Sequence, residues 1–348
     1  MSKHMSVATL LDTKSLKEAS FGNILLVTCS KAIAFTKVSE TEKLKDLSVT
    51  ADMELYKKIE KIFSQSPRVD AVYVYGTAGT EAVKIKSDLD EMYSKNKNYH
   101  FVLIDTYDEI KTKAVVEWAD AKNKIPVYCT EKETEVSAAI AFHTKLNNRA
   151  IAFATKTDDD YPDAKMLGMM CWQTPGKDKW EWKEPSGAVV SGFSLTEIDE
   201  LEEAGINTIQ EEREGVLALF PGKCANGEFI DIVWGNDNMQ YDIETAFIRA
   251  EKSPYKIYHP GVDDRGVVQI EAIIQEIIRD YASDFREFIA QDENKQPLAV
   301  INVKTNYTQQ DIAARKFEVS WTAIPSGSAS FGTIRGLLTF NKDKVKEA

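Results

Sequence analysis

The chain has 348 residues, 43% hydrophobic and 28% charged, with a formal net charge of −12. That length leaves room for two domains, and this composition buries a sizeable core, which excludes a disordered chain. The acidic balance excludes sequence-independent nucleic-acid binding, and no apolar run is long enough for membrane insertion.

The N-terminal stretch "MSKHMSVATLLDTKS" is not a secretory signal, because its apolar run Val7–Leu11 stops at Asp12. From there the first half alternates strand and helix. "GNILLVTC" reads as a buried strand and is followed by a polar stretch and a helix around Ala51–Ser64. Strands follow at "DAVYVYG", "HFVLID", "IPVYCT" and "RAIAFAT", with helices over Glu81–Tyr93 and Asp108–Lys122. This rhythm predicts an α/β domain with a mostly parallel sheet and helices on its faces.

After "TKTDDDYPD" the rhythm changes, and the chain as a whole reads as α+β. "AKMLGMMCWQTPG" is mixed, and Trp180 and Trp182 in "DKWEWKEPSG" are spaced as on one face of a strand. A helix over Leu195–Ala204 ends at Gly205. "GVLALFPGKCANGEFIDIVWG" reads as two strands joined by a turn. In the second, Asp231 shares a face with Phe229 and Val233, while Ile230, Ile232 and Trp234 share the other. Gly235 then makes a turn, and Asn236 or Asp237 caps a helix through Arg249. An amphipathic helix spans Val267–Ile289, with Ile270, Ile274, Ile278, Tyr281, Phe285 and Phe288 on its apolar stripe. Two alternating strands, Leu298–Tyr307 and Lys316–Ile324, precede a last strand-like segment and a charged tail.

Chemistry-bearing motifs are weak. "GTAGTEAVK" (Gly76–Lys84) follows a strand and opens a helix, so Gly76–Thr80 would be the phosphate cradle of a nucleotide- or sugar-phosphate-binding enzyme. It lacks both the full G-x-G-x-x-G and the G-K-[ST] of a P-loop, and an ordinary strand-to-helix turn is the simpler reading. Asp105 sits where doubly wound enzymes keep carboxylates, with no His or Cys nearby in sequence. "TDDDYPD" lacks calcium-loop spacing. The cysteines Cys29, Cys129, Cys171 and Cys224 are dispersed, which fits reduced thiols rather than zinc, and the four histidines are equally scattered. Neither a catalytic centre, a metal site nor a cofactor is expected.

The two ends carry more. Val7, Thr9 and Leu11 alternate in one short strand, and Ile334, Leu338 and Phe340 share a face of another. Each is set off by small or polar residues, "DTKSLKEAS" and "PSGSASFG". An isolated strand is unstable in water, so each needs a sheet, either in its own chain or in a neighbour.

Beside these residues, the second half resembles the contractile tail sheath proteins of bacteriophages and phage-tail-like (R-type) bacteriocins. "DKWEWKEPSGAV", "LTEIDELEEAGINTIQEEREGV" and "NGEFIDIVWGNDNMQYDIETAF" match in order. They are followed by "YKIYHPGVDDRGVVQIEAII" and "DIAARKFEVSWTAIPSGSASFGTIRGLLTF", so that the likeness covers roughly Lys179–Phe340. "KIYHPGVDDRG" departs from the "PYTDAG"-like turn of many relatives.

The resemblance implies a structural subunit rather than an enzyme, made in a bacterial cytoplasm and built into a virion tail or bacteriocin particle. It implies stacked hexameric rings of self-assembled subunits around an inner tail tube protein, with baseplate and tail terminator proteins at the ends. It further implies exchanged arms at 1–20 and 333–348, an outer domain at 21–178 and an inner domain at 179–332. Val300, Asn302, Phe317, Val319 and Trp321 are then the acceptor sheet for a neighbour's arm.

Overall fold

The computed structural model describes residues 21–158 and 160–330. The predicted arm residues Val7, Thr9, Leu11, Ile334, Leu338 and Phe340 lie outside them. The first half is built on a six-stranded sheet of order β2-β3-β1-β4-β5-β6. Its strands are β1 (Ile24–Thr28), β2 (Ile33–Val38), β3 (Val72–Gly76), β4 (Phe101–Ile104), β5 (Ile125–Cys129) and β6 (Ile151–Phe153). All neighbouring pairs are parallel except β2–β3. Alternation splits β1 between two cores: Ile24 and Leu26 face one, Leu25 and Val27 the other. A strand buried on both faces must read as a continuous apolar run, as "ILLV" does.

One face is covered by α1 (Glu54–Phe63) and α5 (Pro162–Met170). The other carries α2 (Ala82–Lys95), α3 (Glu109–Ala121), α4 (Val136–Leu146) and α6 (Leu195–Glu203). In α1 the buried Leu55, Ile59 and Ile62 recur at helical spacing, with the buried Lys58 among them. Lys58 Nζ reaches Asp163 at 2.5 Å and donates to Ile104 O at 2.8 Å, tying α1 to α5 and to the end of β4. Burial is the strongest single influence and opposes the Lys58 charge, but the Asp163 charge and hydrogen bond, together with Cys129 and Asp105, leave the ammonium titrating above its ordinary value.

The "AGIN" tetrad (Ala204–Asn207) joins this body to a hairpin, β7 (Thr208–Arg213) and β8 (Val216–Phe220), antiparallel to one another. A capping box at Ser194 and Glu197 starts α6, and Gly205, at φ +79°, ends it in the left-handed region. Ile206 and Asn207 are fully buried. Asn207 Nδ2 donates to Ala152 O and Lys223 O, both at 2.9 Å, and Oδ1 accepts from the Gly222 and Lys223 amides. One side-chain amide thereby satisfies backbone from β6 and from the exit of β8.

The remainder is α7 (Ile230–Glu251), α8 (Asp264–Tyr281), the antiparallel strands β9 (Ala299–Val303) and β10 (Val319–Ala323), and the short α9 (Gln309–Ala313) between them. Ile270, Ile274 and Ile278 of α8 form a third core with Met239 of α7. Ala299, Ile301, Val303, Val319, Trp321 and Ala323 pack against it.

Several expectations are corrected here. "FIDIVWG" is not a strand ending in a turn at Gly235: α7 runs unbroken from Ile230, and its start is not capped by Asn236 or Asp237. Ile230 and Trp234, two strand steps apart twice over, are also one helical turn apart, so the pattern suited both periods. Gly235 is there for packing, because a Cβ would lie 2.5 Å from the Phe288 ring and 2.7 Å from Gly176 Cα. Asp237, inside the helix, takes both carboxylate oxygens to Arg149 Nη1 at 2.8 and 2.9 Å, with His100 Nε2 3.2 Å away.

"DKWEWKEP" forms no strand. Trp180 is fully buried, packing 6.0 Å from Phe101 and 6.5 Å from Trp234, whereas Trp182 is 41% exposed at φ +64°. Trp182 N and Lys183 O still bond the two sides of Leu219 in β8. The stripe of α8 stops at Tyr281: Phe285 is 70% exposed, and Phe288 is buried beyond the helix end. The first part of the "mixed" stretch, Ala164–Met170, belongs to α5, and "IAFTKV" is the edge strand β2.

Candidate assembly interface

The predicted acceptor residues fall on β9 and β10 or beside them. Register pairs Val319 with Val303, Ser320 with Asn302, Trp321 with Ile301 and Thr322 with Val300. The odd-numbered positions of both strands turn toward α8, so Val319 and Trp321 belong to the third core. Val300, Asn302, Ser320 and Thr322 face out, with Val300 60% exposed. Phe317 precedes β10 and meets Phe247 of α7 with ring centroids 5.7 Å apart. The structure thus divides the five predicted residues between an outer face, a packed face and a flank.

The ladder also fixes which backbone groups point outward. Lys304 N donates to Glu318 O and Ile324 N to Leu298 O, so even-numbered residues bond across the pair. In an antiparallel ladder the intervening residues turn their N–H and C=O groups to the outer edges. Those are Ile301 and Val303 on one edge, and Val319, Trp321 and Ala323 on the other. Among the described residues the sheet has only these two strands, so both edges are open along their central positions. Open edges beside an apolar face are what β-strand addition requires.

Sequence reasoning missed the clamp that holds the chain after β10. Ser326 N donates to Phe288 O at 2.8 Å. Trp182 Nε1 donates to Ser330 O and Lys179 Nζ to Ser330 Oγ, each at 3.2 Å. Ser328 Oγ donates to Glu181 Oε1 at 3.2 Å, and Ser330 Oγ bonds the same oxygen. The small-residue stretch that sets off the C-terminal segment is fastened to the loop between α5 and α6 as far as Ser330. Serine spacing in "PSGSAS" is the only sequence signal, and it names no partner.

The rival site was the turn at Gly76–Thr80. There Thr77 Oγ1 donates to the Asp88 carboxylate at 2.6 Å, and Lys84 Nζ reaches the same group at 2.5 Å. With Glu81 at the N-cap and Asp88 lining the same open cavity, negative charge already occupies the region where a phosphate would sit. Asp105 lies at the C-terminal end of β4, 4% exposed, accepting from the Thr106 amide at 2.8 Å. Burial raises its carboxyl above the ordinary range. No nucleophile–base pair is formed around it by the described hydrogen bonds. The four cysteines are free, and among the described residues no group of three or more His, Cys, Asp or Glu could hold a metal. Nor is any described helix long and apolar enough to cross a membrane.

No family model matches the chain, and no curated protein does. Solved structures do. A chain of the PVC sheath complex of an extracellular contractile injection system, in its contracted state, superposes with a TM-score of 0.67 at 12% identity, covering 99% of each chain. A chain from the contracted helical sheath of the anti-feeding prophage gives 0.67 at 12% identity, covering 97% of this chain and all of that one. This is the fold of a contractile injection system sheath. A chain in the six-fold symmetrised baseplate of the anti-feeding prophage matches as well, with a TM-score of 0.67 at 13% identity and 98% coverage of this chain. The sheath fold therefore extends over the α/β half, where the sequence resemblance was unspecific, as well as over α7–β10.

Proposed function

We propose that this chain is a structural sheath subunit that assembles with copies of itself around an inner tube and performs no catalysis. The observation that carries the reading is near-complete coverage of the chain by sheath structures, combined with a β9–β10 sheet whose edges are open among the described residues. In this reading residues 1–20 and 333–348 are arms, 21–178 an outer domain and 179–332 an inner one. Val7, Thr9 and Leu11 of one neighbour and Ile334, Leu338 and Phe340 of another add strands beside Val319–Trp321 and Val300–Asn302, while Phe317 flanks the new edge.

Contacts of this kind are head to tail, so they propagate along an axis instead of closing. Rings of six, stacked on a tube between a baseplate and a terminator, give such contacts a defined length. Contraction then requires rigid bodies to rotate while the strands keep subunits connected, starting from a kinetically trapped extended state. The clamp at Glu181 and Trp182 supports this, since it gives the C-terminal arm a fixed point of departure.

Electron microscopy of the purified chain, alone and with its tube protein, tests the reading: rings or helical tubes are expected. A monodisperse monomer at high concentration under both conditions would overturn it. Deleting residues 332–348 is expected to abolish assembly while leaving the subunit folded. Unchanged assembly would remove the arm exchange even if tubes form.

A further inference from the structure

His100, Lys124 and Arg149 stand just before β4, β5 and β6, at the amino-terminal ends of the parallel strands. Asp237 of α7 acts on all three. Arg149 Nη1 donates to both Asp237 oxygens, and Arg149 Nε lies 3.3 Å from Asp120 near the end of α3. His100 Nε2 is 3.2 Å from Asp237 Oδ2 yet makes no aligned hydrogen bond, and the residue is 4% exposed. A buried nitrogen so close to a carboxylate but unbonded is rare in a folded protein.

The same imidazole touches the point where the amino-terminal segment joins the body. Its ring centroid lies 4.7 Å from that of Phe21, the first described residue, and 5.7 Å from that of Phe101. Phe21 packs in turn on Tyr241, and its carbonyl accepts from Trp234 Nε1 at 3.0 Å. Trp234 and Tyr241 belong to α7, as Asp237 does. His100 therefore stands between the carboxylate that ties α7 to the sheet and the ring that seats the incoming chain.

Its neighbours set its charge. Burial, the largest influence, disfavours the imidazolium; Asp237 favours it, and Lys124 and Arg149 disfavour it, so His100 titrates below its ordinary 6.5. Lys124 is itself pushed down to about 8 by burial, with Asp237 opposing and Lys97 adding to the fall. At pH 7 the ring is neutral and needs no counter-charge. Once protonated and buried it does, and Asp237 is the carboxylate at hand. Arg149 can yield it, because Asp120 already stands beside Nε.

We propose that His100 is an acid-sensing switch: on protonation its imidazolium takes Asp237 from Arg149, which falls back on Asp120, and the turning ring unseats Phe21. The switch belongs to the free subunit and needs no assembly. An imidazole that titrates lower when folded stabilises the fold fully above about 6.5, and less as pH falls from there. Acid therefore loosens Phe21 and the stretch of α7 around Asp237 together.

Hydrogen exchange of the full chain at pH 7.5 and pH 5.0, corrected for the intrinsic rates, tests this over residues 21–26 and 234–241. Protection there is expected to fall roughly tenfold at the lower pH, the effect of about one unit between the pKa values of the seated and unseated imidazole. His100→Gln, neutral at both pH values, should keep its protection. Asp120→Asn changes a half-exposed side chain, so the fold survives even where His100→Gln disturbs it. It leaves Arg149 without a second carboxylate and should hold the loss below about threefold. Equal protection of the parent at both pH values, or a loss in either variant as large as the parent's, would overturn the switch.

Discussion

The six-stranded sheet and the β9–β10 pair are finished differently. In the first, helices cover both faces, and the charged groups inside are matched: Lys58 with Asp163, and Lys165 with Asp160 and Gly187 O. In the second, α8 covers one face only, Val300 and Thr322 look outward, and the edge groups of Ile301 and Trp321 find no strand among the described residues. The difference teaches that the six-stranded sheet has both faces covered, whereas the β9–β10 pair keeps one face and both edges uncovered among the described residues. A sheet with one covered face and two strands is marginal alone and gains by addition.

The largest effect is expected from breaking the body. Asp163→Ala leaves the Lys58 ammonium buried without its partner, and losing one member of a buried pair costs about 3–5 kcal/mol. Urea unfolding should show that loss. A midpoint within experimental error of the parent would mean that the pair contributes nothing to holding α1 on α5.

Gly235→Ala strikes the junction between the two regions. Its added Cβ would meet the Phe288 ring and the backbone of Gly176, so overpacking should cost about 1–3 kcal/mol. The comparison sharpens if tryptophan fluorescence of the body survives while proteolysis after α8 accelerates. Uniform unfolding would instead mean that the regions are energetically one unit.

The same places explain what the sequence could and could not disclose. Strands buried on both faces are apolar runs bounded by turns, so "ILLVT" and "FVLI" announce the sheet. The edge strand β2 does not, because only its end residues are buried and its middle is partly or fully exposed. α5 escapes for the opposite reason: nearly every residue is buried, including Asp163 and Lys165, so no stripe marks a face. The strands β9 and β10 were legible from alternation. The clamp joining Trp182 to Ser330 was not, because it pairs loops 148 residues apart and depends on tertiary geometry alone.

Asp231 gives a smaller, pH-dependent test at that junction. Burial, with the Glu181 charge behind it, lifts its carboxyl to about 6, while Lys179 opposes the rise. The folded value lies above the ordinary 3.8, so the stability due to its proton is complete below about 4 and is lost as pH rises through 6. Asp231→Asn should therefore be the more stable form at pH 7.5, by about 1 kcal/mol after allowing for partial exposure, and near parity at pH 4. Denaturation midpoints of both proteins at the two pH values check this. A constant difference would place the cause outside this carboxyl.

Val300→Lys should do least to the subunit and most to the distinction between the two sheets. Val300 is 60% exposed on the outer face of β9, opposite Thr322, with Asn302 and Ser320 as its neighbours on that face. A lysine there stays solvated in the free subunit, so unfolding should shift by no more than about 0.5 kcal/mol. If neighbouring arms extend this sheet and a surface then covers it, the ammonium is trapped at an interface without a partner, and assembly should fail. Light scattering under assembling conditions, set beside a urea curve, separates the two effects. Assembly at the parental rate would mean that the outer face stays wet in the assembled state and that strand addition acts through the edges alone.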